Sequence, residues 1–221
     1  MKILRILTAL LVIIFIPGRD ILLSQTIPLP EHPRPDFQRS QWINLNGTWD
    51  FEFDSTDTGM NKKWFNPASS FSKKIIVPFP WGSKLSGVKD EADIAWYRHS
   101  IRIPSGWKSR RVFLTIGASD WQTTVWLDGK EIGSHQGGYM PFSFDLTPMI
   151  TIDKEQSLVI RVDDKRRAFT LYGKQGYGNA RGLWQTVYLE ARGTNYIQQV
   201  HCTPDIDKHK VNMAIRMESP L

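Results

Sequence analysis

The sequence predicts an all-β fold, an antiparallel jelly-roll β-sandwich, and three observations carry that prediction. Short runs with alternating polarity recur from Gln38 onward. Turn signals separate them, and no helical crossover of useful length lies between them. The composition is globular, with 41% hydrophobic and 23% charged residues in 221. That length suits one large domain, or one domain and part of another.

The elements follow in order. Residues 1–24 have the form of a signal peptide: Lys2 and Arg5 precede the apolar run Ile6 to Ile16, and Pro17-Gly18 closes it. Eleven helical residues rise only about 16 Å, too short for a hydrocarbon core of about 30 Å. Cleavage after Ser24 fits, and the absence of a nearby Cys argues against a lipoprotein anchor. The expected destination is therefore export, to the periplasm or beyond, with no stable membrane insertion. Residues 25–37 hold Pro28, Pro30, Pro33 and Pro35 and predict an extended arm.

The segment 38–193 carries the strand candidates. Trp49 to Phe53 alternates strictly, and Tyr97 to Ile103 alternates less strictly. Val112 to Ile116, Thr123 to Leu127, Ser157 to Val162 and Gln185 to Leu189 complete the set. Each strand is expected to send one face to the core. Turns are predicted at Asn46-Gly47, Pro104-Ser105-Gly106, Asp128-Gly129 and the Gly-rich stretch 173–182. Leu146 to Ile150 predicts a single helical turn. After Arg192-Gly193-Thr194 the composition changes. Ile197 to Cys202 and Val211 to Met217 read as two more strands around a turn at Asp205 to Lys208. Two strands are too few for an independent domain. They either complete the first sandwich or open a second one over 194–221, and the size argument favours the second.

Composition excludes several function classes. The formal charge of +6 drops by two without the leader, which contains Lys2, Arg5, Arg19 and Asp20. The remaining basic stretches, Lys108 to Arg111 and Lys165 to Arg167, are too short to track a phosphate backbone, so no nucleic acid is expected. Cys202 is the lone cysteine, so no intrachain disulfide forms. No His cluster has metal-ligand spacing and no Ser sits in a nucleophile elbow. Neither a metal nor a cofactor is predicted.

Seven motifs occur in order: Leu45-Asn46-Gly47-Thr48-Trp49-Asp50-Phe51, Val77-Pro78-Phe79-Pro80-Trp81, Trp96-Tyr97-Arg98, Val125-Trp126-Leu127-Asp128-Gly129-Lys130, Gly133 with Gly137-Gly138-Tyr139, Pro141-Phe142, and Gly182-Leu183-Trp184-Gln185-Thr186-Val187-Tyr188-Leu189-Glu190. Each sits in the strand-and-turn context it requires. The series resembles the N-terminal sugar-binding domain of glycoside hydrolase family 2, the family of β-galactosidases, β-glucuronidases and β-mannosidases, over roughly residues 38–192. The resemblance implies a galactose-binding-domain-like jelly roll followed by an immunoglobulin-like sandwich and a catalytic (β/α)8 barrel. On that reading residues 194–221 begin the immunoglobulin-like sandwich.

The same resemblance bears on chemistry. Retaining glycoside hydrolysis needs two carboxylic groups about 5 Å apart, and in this family both are barrel glutamates, one of them after an Asn. The sequence has no Asn-Glu dipeptide. Of its seven glutamates, Glu52 and Glu190 alternate with strand apolars and read as outward-facing. Glu31, Glu91, Glu131, Glu155 and Glu218 form no catalytic constellation either. No hydrolase activity is expected from this chain alone.

In relatives the domain lends loops to the substrate pocket, so a carbohydrate shared with a barrel is the implied partner. A homo-oligomeric parent enzyme is left open. The resemblance offers Asp128, His135, Lys174, Gln175, Asn179 and Arg181 as sugar contacts. Asp128 has a second explanation, since Asp-Gly is what a type I′ turn demands. His135 is as readily structural. The loop 172–181 lacks the acidic residue some relatives carry there. Its Lys174 and Arg181 suit a carboxylate-bearing sugar such as a uronate, while solvated loop residues explain it equally. Trp81, Trp96 and Trp121 fit either core or a domain interface.

Overall fold

The computed structural model describes residues 27–89, 92–165 and 181–219. The predicted signal peptide, Glu91, Lys174, Gln175 and Asn179 lie outside the described residues. Fourteen strands occur among the described residues: β1 (Trp42–Asn44), β2 (Gly47–Phe53), β3 (Lys73–Val77), β4 (Ile94–Arg102), β5 (Arg111–Ile116), β6 (Ser119–Asp120), β7 (Gln122–Leu127), β8 (Lys130–Gln136), β9 (Phe142–Asp145), β10 (Glu155–Asp163), β11 (Gly182–Leu183), β12 (Val187–Arg192), β13 (Tyr196–Asp205) and β14 (Lys210–Glu218).

Two sheets make the sandwich. One has six strands in the order β3-β2-β4-β10-β7-β8 and the other four, β1-β12-β5-β9. All these pairings are antiparallel. The fold is thus the all-β antiparallel sandwich that the alternation predicts, consistent with a jelly roll. Short runs such as Lys73–Val77 and Phe142–Asp145 escape the pattern search because each pairs as a brief edge strand. The predicted turn at 146–150 forms, with the Met149 and Ile150 amides both donating to the Leu146 carbonyl.

The core lies between the sheets. Trp49, Phe51, Tyr97, Val125 and Ile160 from the first sheet meet Val112, Leu114, Ile116 and Leu189 from the second. Burial of each such side chain contributes about 1.5–3 kcal/mol.

Each central strand sends one face to the core, as expected, but its other face does not meet solvent. The central strands do not alternate between core and solvent, because the outer face of the six-stranded sheet is also buried. Ile94, Trp96, Trp126 and Val159 form a second cluster there, covered by Trp64, Phe65 and Phe71 of the segment between β2 and β3. Trp96 and Trp126 stack at 5.3 Å, and Phe65 stacks on Trp126 at 5.5 Å. Asp54 anchors the covering segment. Its carboxylate accepts the amides of Thr58 and Gly59, each at 2.8 Å, and the Trp96 indole N–H at 3.1 Å. Buried polar groups of this kind are stable only when so partnered.

The four-stranded sheet is covered outside as well. The Pro-rich arm lies along β1, where Asn44 and Asn46 donate their amide groups to the Leu29 and Pro28 carbonyls. His32 is buried between Trp42 and Tyr188, with ring centroids 4.7 and 5.4 Å away. Glu190, read as outward-facing, does face away from the sandwich core yet is only 2% exposed. It sits beneath Arg39 and Arg192, which pair with it. A strand residue that faces away from the sandwich core is therefore not a solvent residue here.

β13 and β14 pair only with each other. Tyr196 ties the hairpin to the sandwich, 5.6 Å from the Phe113 ring and flanked by Arg39, Arg111 and Arg192. Beyond it, register aligns Ile197 with Met217, Val200 with Ile215, and Cys202 with Met213. These side chains share one face, and all are exposed.

Candidate functional site

Strand β10 fixes the geometry of the candidate residues, because it touches one group near each end. At one end, the turn at Asp128-Gly129 has φ of 48° and 79°, the positive pair a type I′ hairpin requires. The Asp128 carboxylate accepts the Ser157 amide at 2.8 Å and the Gln156 side-chain amide at 2.9 Å. It is thereby fastened to the start of β10. At the other end, Asp164 follows β10 and lies against Arg181. Seven residues of strand separate Ser157 from Asp164, about 23 Å. Asp128 and Arg181 therefore cannot touch the same sugar ring.

His135 belongs to the Arg181 end. It pairs with Thr123, which pairs with Val162 of β10. Its ring stacks on Phe142 at 3.9 Å, and desolvation pulls its pKa below the usual histidine value.

The Arg181 side chain is 6% exposed and already committed. Its Nη1 donates to the Ala92 carbonyl at 3.1 Å and to Asp93 Oδ1 at 3.3 Å, and its Nε lies 3.4 Å from Asp164 Oδ2. Burial is the main cause that pushes the Asp164 carboxyl up to about 6. The negative Asp120 nearby adds to the rise, and Arg181 only partly offsets it. Asp120 is raised as well, again chiefly by desolvation. A cleft of about 500 Å3 opens beside this cluster, lined by Asp54, Asp57, Asp93, Ile94, Lys165 and Arg181. Its charges are mixed, and Lys165 is held 2.6 Å from Asp57. Such a cleft can offer acceptors to hydroxyl groups. Among the described residues no three His, Cys, Asp or Glu are arranged to hold a metal ion. Among them, too, no helix is long and apolar enough to cross a membrane.

An aromatic corner adjoins the cluster through Asp120. β6 pairs Asp120 with Gly182 and Ser119 with Leu183 of β11. Trp121 follows, and the Gly137 amide donates to its carbonyl at 3.2 Å. The Trp184 indole donates to the Gly138 carbonyl at 2.8 Å. Tyr139 meets Trp184 edge-on at 5.7 Å. Trp81 and Trp96 are core residues, whereas Trp121 is 37% and Tyr139 81% exposed.

Sequence reasoning singled out Arg181 and His135 at this end but passed over Asp120, Asp164 and Tyr139 as site residues. The signal available was the pairing of Gly182 with a strand end at Asp120, and pairing across more than sixty residues is not visible in a periodicity.

Comparison with known proteins agrees with this architecture. Residues 43–190 match the family model described as "Glycosyl hydrolases family 2, sugar binding domain". A β-glucuronidase of Paenibacillus borealis is 28% identical over 185 residues, covering 74% of this chain and 31% of the relative. A β-glucuronidase of Bacteroides fragilis is 27% identical over 152 residues, covering 67% and 20%. Among solved structures, a β-glucuronidase of an uncultured Clostridium species superposes with a TM-score of 0.68 at 25% identity, over 83% of this chain and 35% of that one. The Ruminococcus gnavus β-glucuronidase, at 19% identity and a TM-score of 0.70, shares the fold. The chain thus spans about a third of the length of these relatives or less. By the extent of the family match, this chain belongs to the sugar-binding domain family of the family 2 glycosyl hydrolases.

Proposed function

We propose that this chain is the non-catalytic N-terminal part of an exported β-glycosidase, and that it scaffolds a catalytic barrel and shapes the barrel's substrate pocket. The observation that carries the reading is the family match over 43–190, together with relatives three times as long. The matched relatives are β-glucuronidases, and a β-glucuronide is accordingly the proposed substrate class.

The chemistry of the chain supports a supporting role. Cleavage with retention needs a nucleophilic and an acid/base carboxyl about 5 Å apart across the bond. Glu190 is buried and paired with two arginines, and Glu52 accepts the Ser72 amide. The raised Asp164 and Asp120 flank a buried arginine, an arrangement that holds a loop base in place. The amphipathic β13–β14 hairpin supports residues 194–221 as the opening of an immunoglobulin-like sandwich. Its face of Ile197, Val200, Cys202, Met213, Ile215 and Met217 is the inner face such a layer would use.

The coding sequence immediately downstream tests this reading. It should contain the rest of a sandwich and a barrel of about 250 residues with an Asn-Glu at a strand end. A stop shortly after Leu221, with no barrel to follow, contradicts it. That outcome would favour a free-standing carbohydrate-binding module, a second reading that the exposed Tyr139 and Trp121 support.

A further inference from the structure

We infer that Tyr139, braced edge-on by Trp184, presents a stacking face for one pyranose ring of a β-glycoside, with the Asp120 carboxylate beside it as hydroxyl acceptor. The inference rests on reading the chain as a sugar-binding domain and names the residues that would do the binding.

Four observations place the platform. Tyr139 is 81% exposed, yet its ring is positioned by the edge contact with Trp184. Trp184 is itself fixed at both ends, its backbone amide donating to the Ala118 carbonyl at 3.2 Å and its indole to the Gly138 carbonyl. Trp121 is joined to the same loop through the Gly137 amide. Finally, Gly138 packs directly on Asp120. A Cβ at that position would lie 2.9 Å from Asp120 Oδ1, so the bare glycine lets loop and carboxylate sit side by side.

This combination suits a sugar better than a protein surface. A pyranose presents C–H bonds on one face and hydroxyls around its rim. Aromatic faces take the first, and a carboxylate accepts from the second through charge-assisted bonds. Binding sites of this kind pair a few rigid aromatics with a small number of placed polar groups. The Trp184 indole is held by its bond to the Gly138 carbonyl and Tyr139 packs edge-on against it, so less side-chain entropy is lost when a ligand arrives.

The test is a titration of the chain with methyl β-D-glucuronide and methyl β-D-glucoside, read by tryptophan fluorescence and by saturation-transfer NMR. Saturable binding is expected with a Kd on the order of 1 mM. Saturation should be strongest on the protons of one sugar face. Tyr139→Ala should weaken binding about three- to tenfold with an unchanged melting temperature, since the side chain is exposed. Trp184→Phe keeps a ring but removes the indole donor, and should weaken binding less. No saturable response to either sugar, or wild-type binding by Tyr139→Ala, overturns the inference. So does self-association that Tyr139→Ala abolishes, which would make the corner a protein contact. None of these failures bears on the downstream barrel, which is read from the coding sequence.

Discussion

Gly182 and Asp164 are the two residues whose behaviour this structure makes most specific. Gly182 has φ of 80°, and a Cβ there would lie 2.2 Å from the Tyr97 hydroxyl and 2.3 Å from the Trp81 ring. Both neighbours are buried core side chains with nowhere to move. Gly182→Ala should therefore cost about 2–5 kcal/mol, from left-handed backbone strain and overpacking together. Urea denaturation checks this, and a loss below 1 kcal/mol would show that the β6–β11 corner is loosely packed. Asp164 makes a prediction with the opposite sign to most carboxylates. Its folded carboxyl holds a proton up to about pH 6, against 3.8 for an ordinary aspartate. The native state therefore binds more protons than the unfolded chain between those values, and stability falls as pH rises from about 4 through 6. Asp164→Asn should reduce that fall, Asp120 keeping its own share, and stabilise the chain at pH 8 by on the order of 1 kcal/mol once solvent screening is counted. Arg181 keeps Asp93 as a partner. Identical pH profiles for variant and parent would contradict the assignment. The contrast with Asp128 shows what sequence conveys at this scale. The Asp-Gly turn was legible because two adjacent residues determine it. The raised carboxyl of Asp164 depends on burial and on the charges of Asp120, Arg181 and Asp93, which only the fold brings together.

Among the elements, the β13–β14 hairpin stands apart from the strands of the sandwich. Its apolar face is exposed, and a contiguous patch of that kind marks an interface or an aggregation site. Tyr196 is its one strongly buried side chain. Ending the chain at residue 198 should leave the unfolding free energy within about 1 kcal/mol of the parent, while Tyr196→Ala should cost about 3 kcal/mol. Sedimentation should show the shortened chain monomeric at concentrations where the parent associates. If the two associate equally, the hairpin face is not the sticky surface. Strand content was readable at β2, β5 and β7, where one side of each run is consistently apolar. It was less readable for β4 and β10. Both of their faces are buried, one against the core and one beneath Trp64, Phe65 and Phe71. The covering segment has no periodicity of its own. Its place is set by Asp54, whose carboxylate gathers two amides and an indole, a convergence that residue order does not reveal.

At the scale of the whole molecule, the account rests on a division of labour. A rigid two-sheet body carries loops at one end, where Arg181 is neutralised internally and an aromatic corner is presented outward. Motif order alone indicated the family, because seven short strand-and-turn signatures survive in sequence, and the match over 43–190 agrees. The separation of Asp128 from Arg181 by the length of β10 was not legible, because the contacts that fasten each to an end of that strand are not visible in residue order. Carbohydrate recognition belongs to this chain on the present reading, and bond cleavage to residues beyond it. The hydrolysis of p-nitrophenyl β-D-glucuronide by the purified chain tests that division most directly. The account predicts no turnover above the buffer rate at any pH from 4 to 8. Turnover that co-purifies with the chain through successive columns, and that falls when Asp164 or Asp120 is replaced, would contradict it.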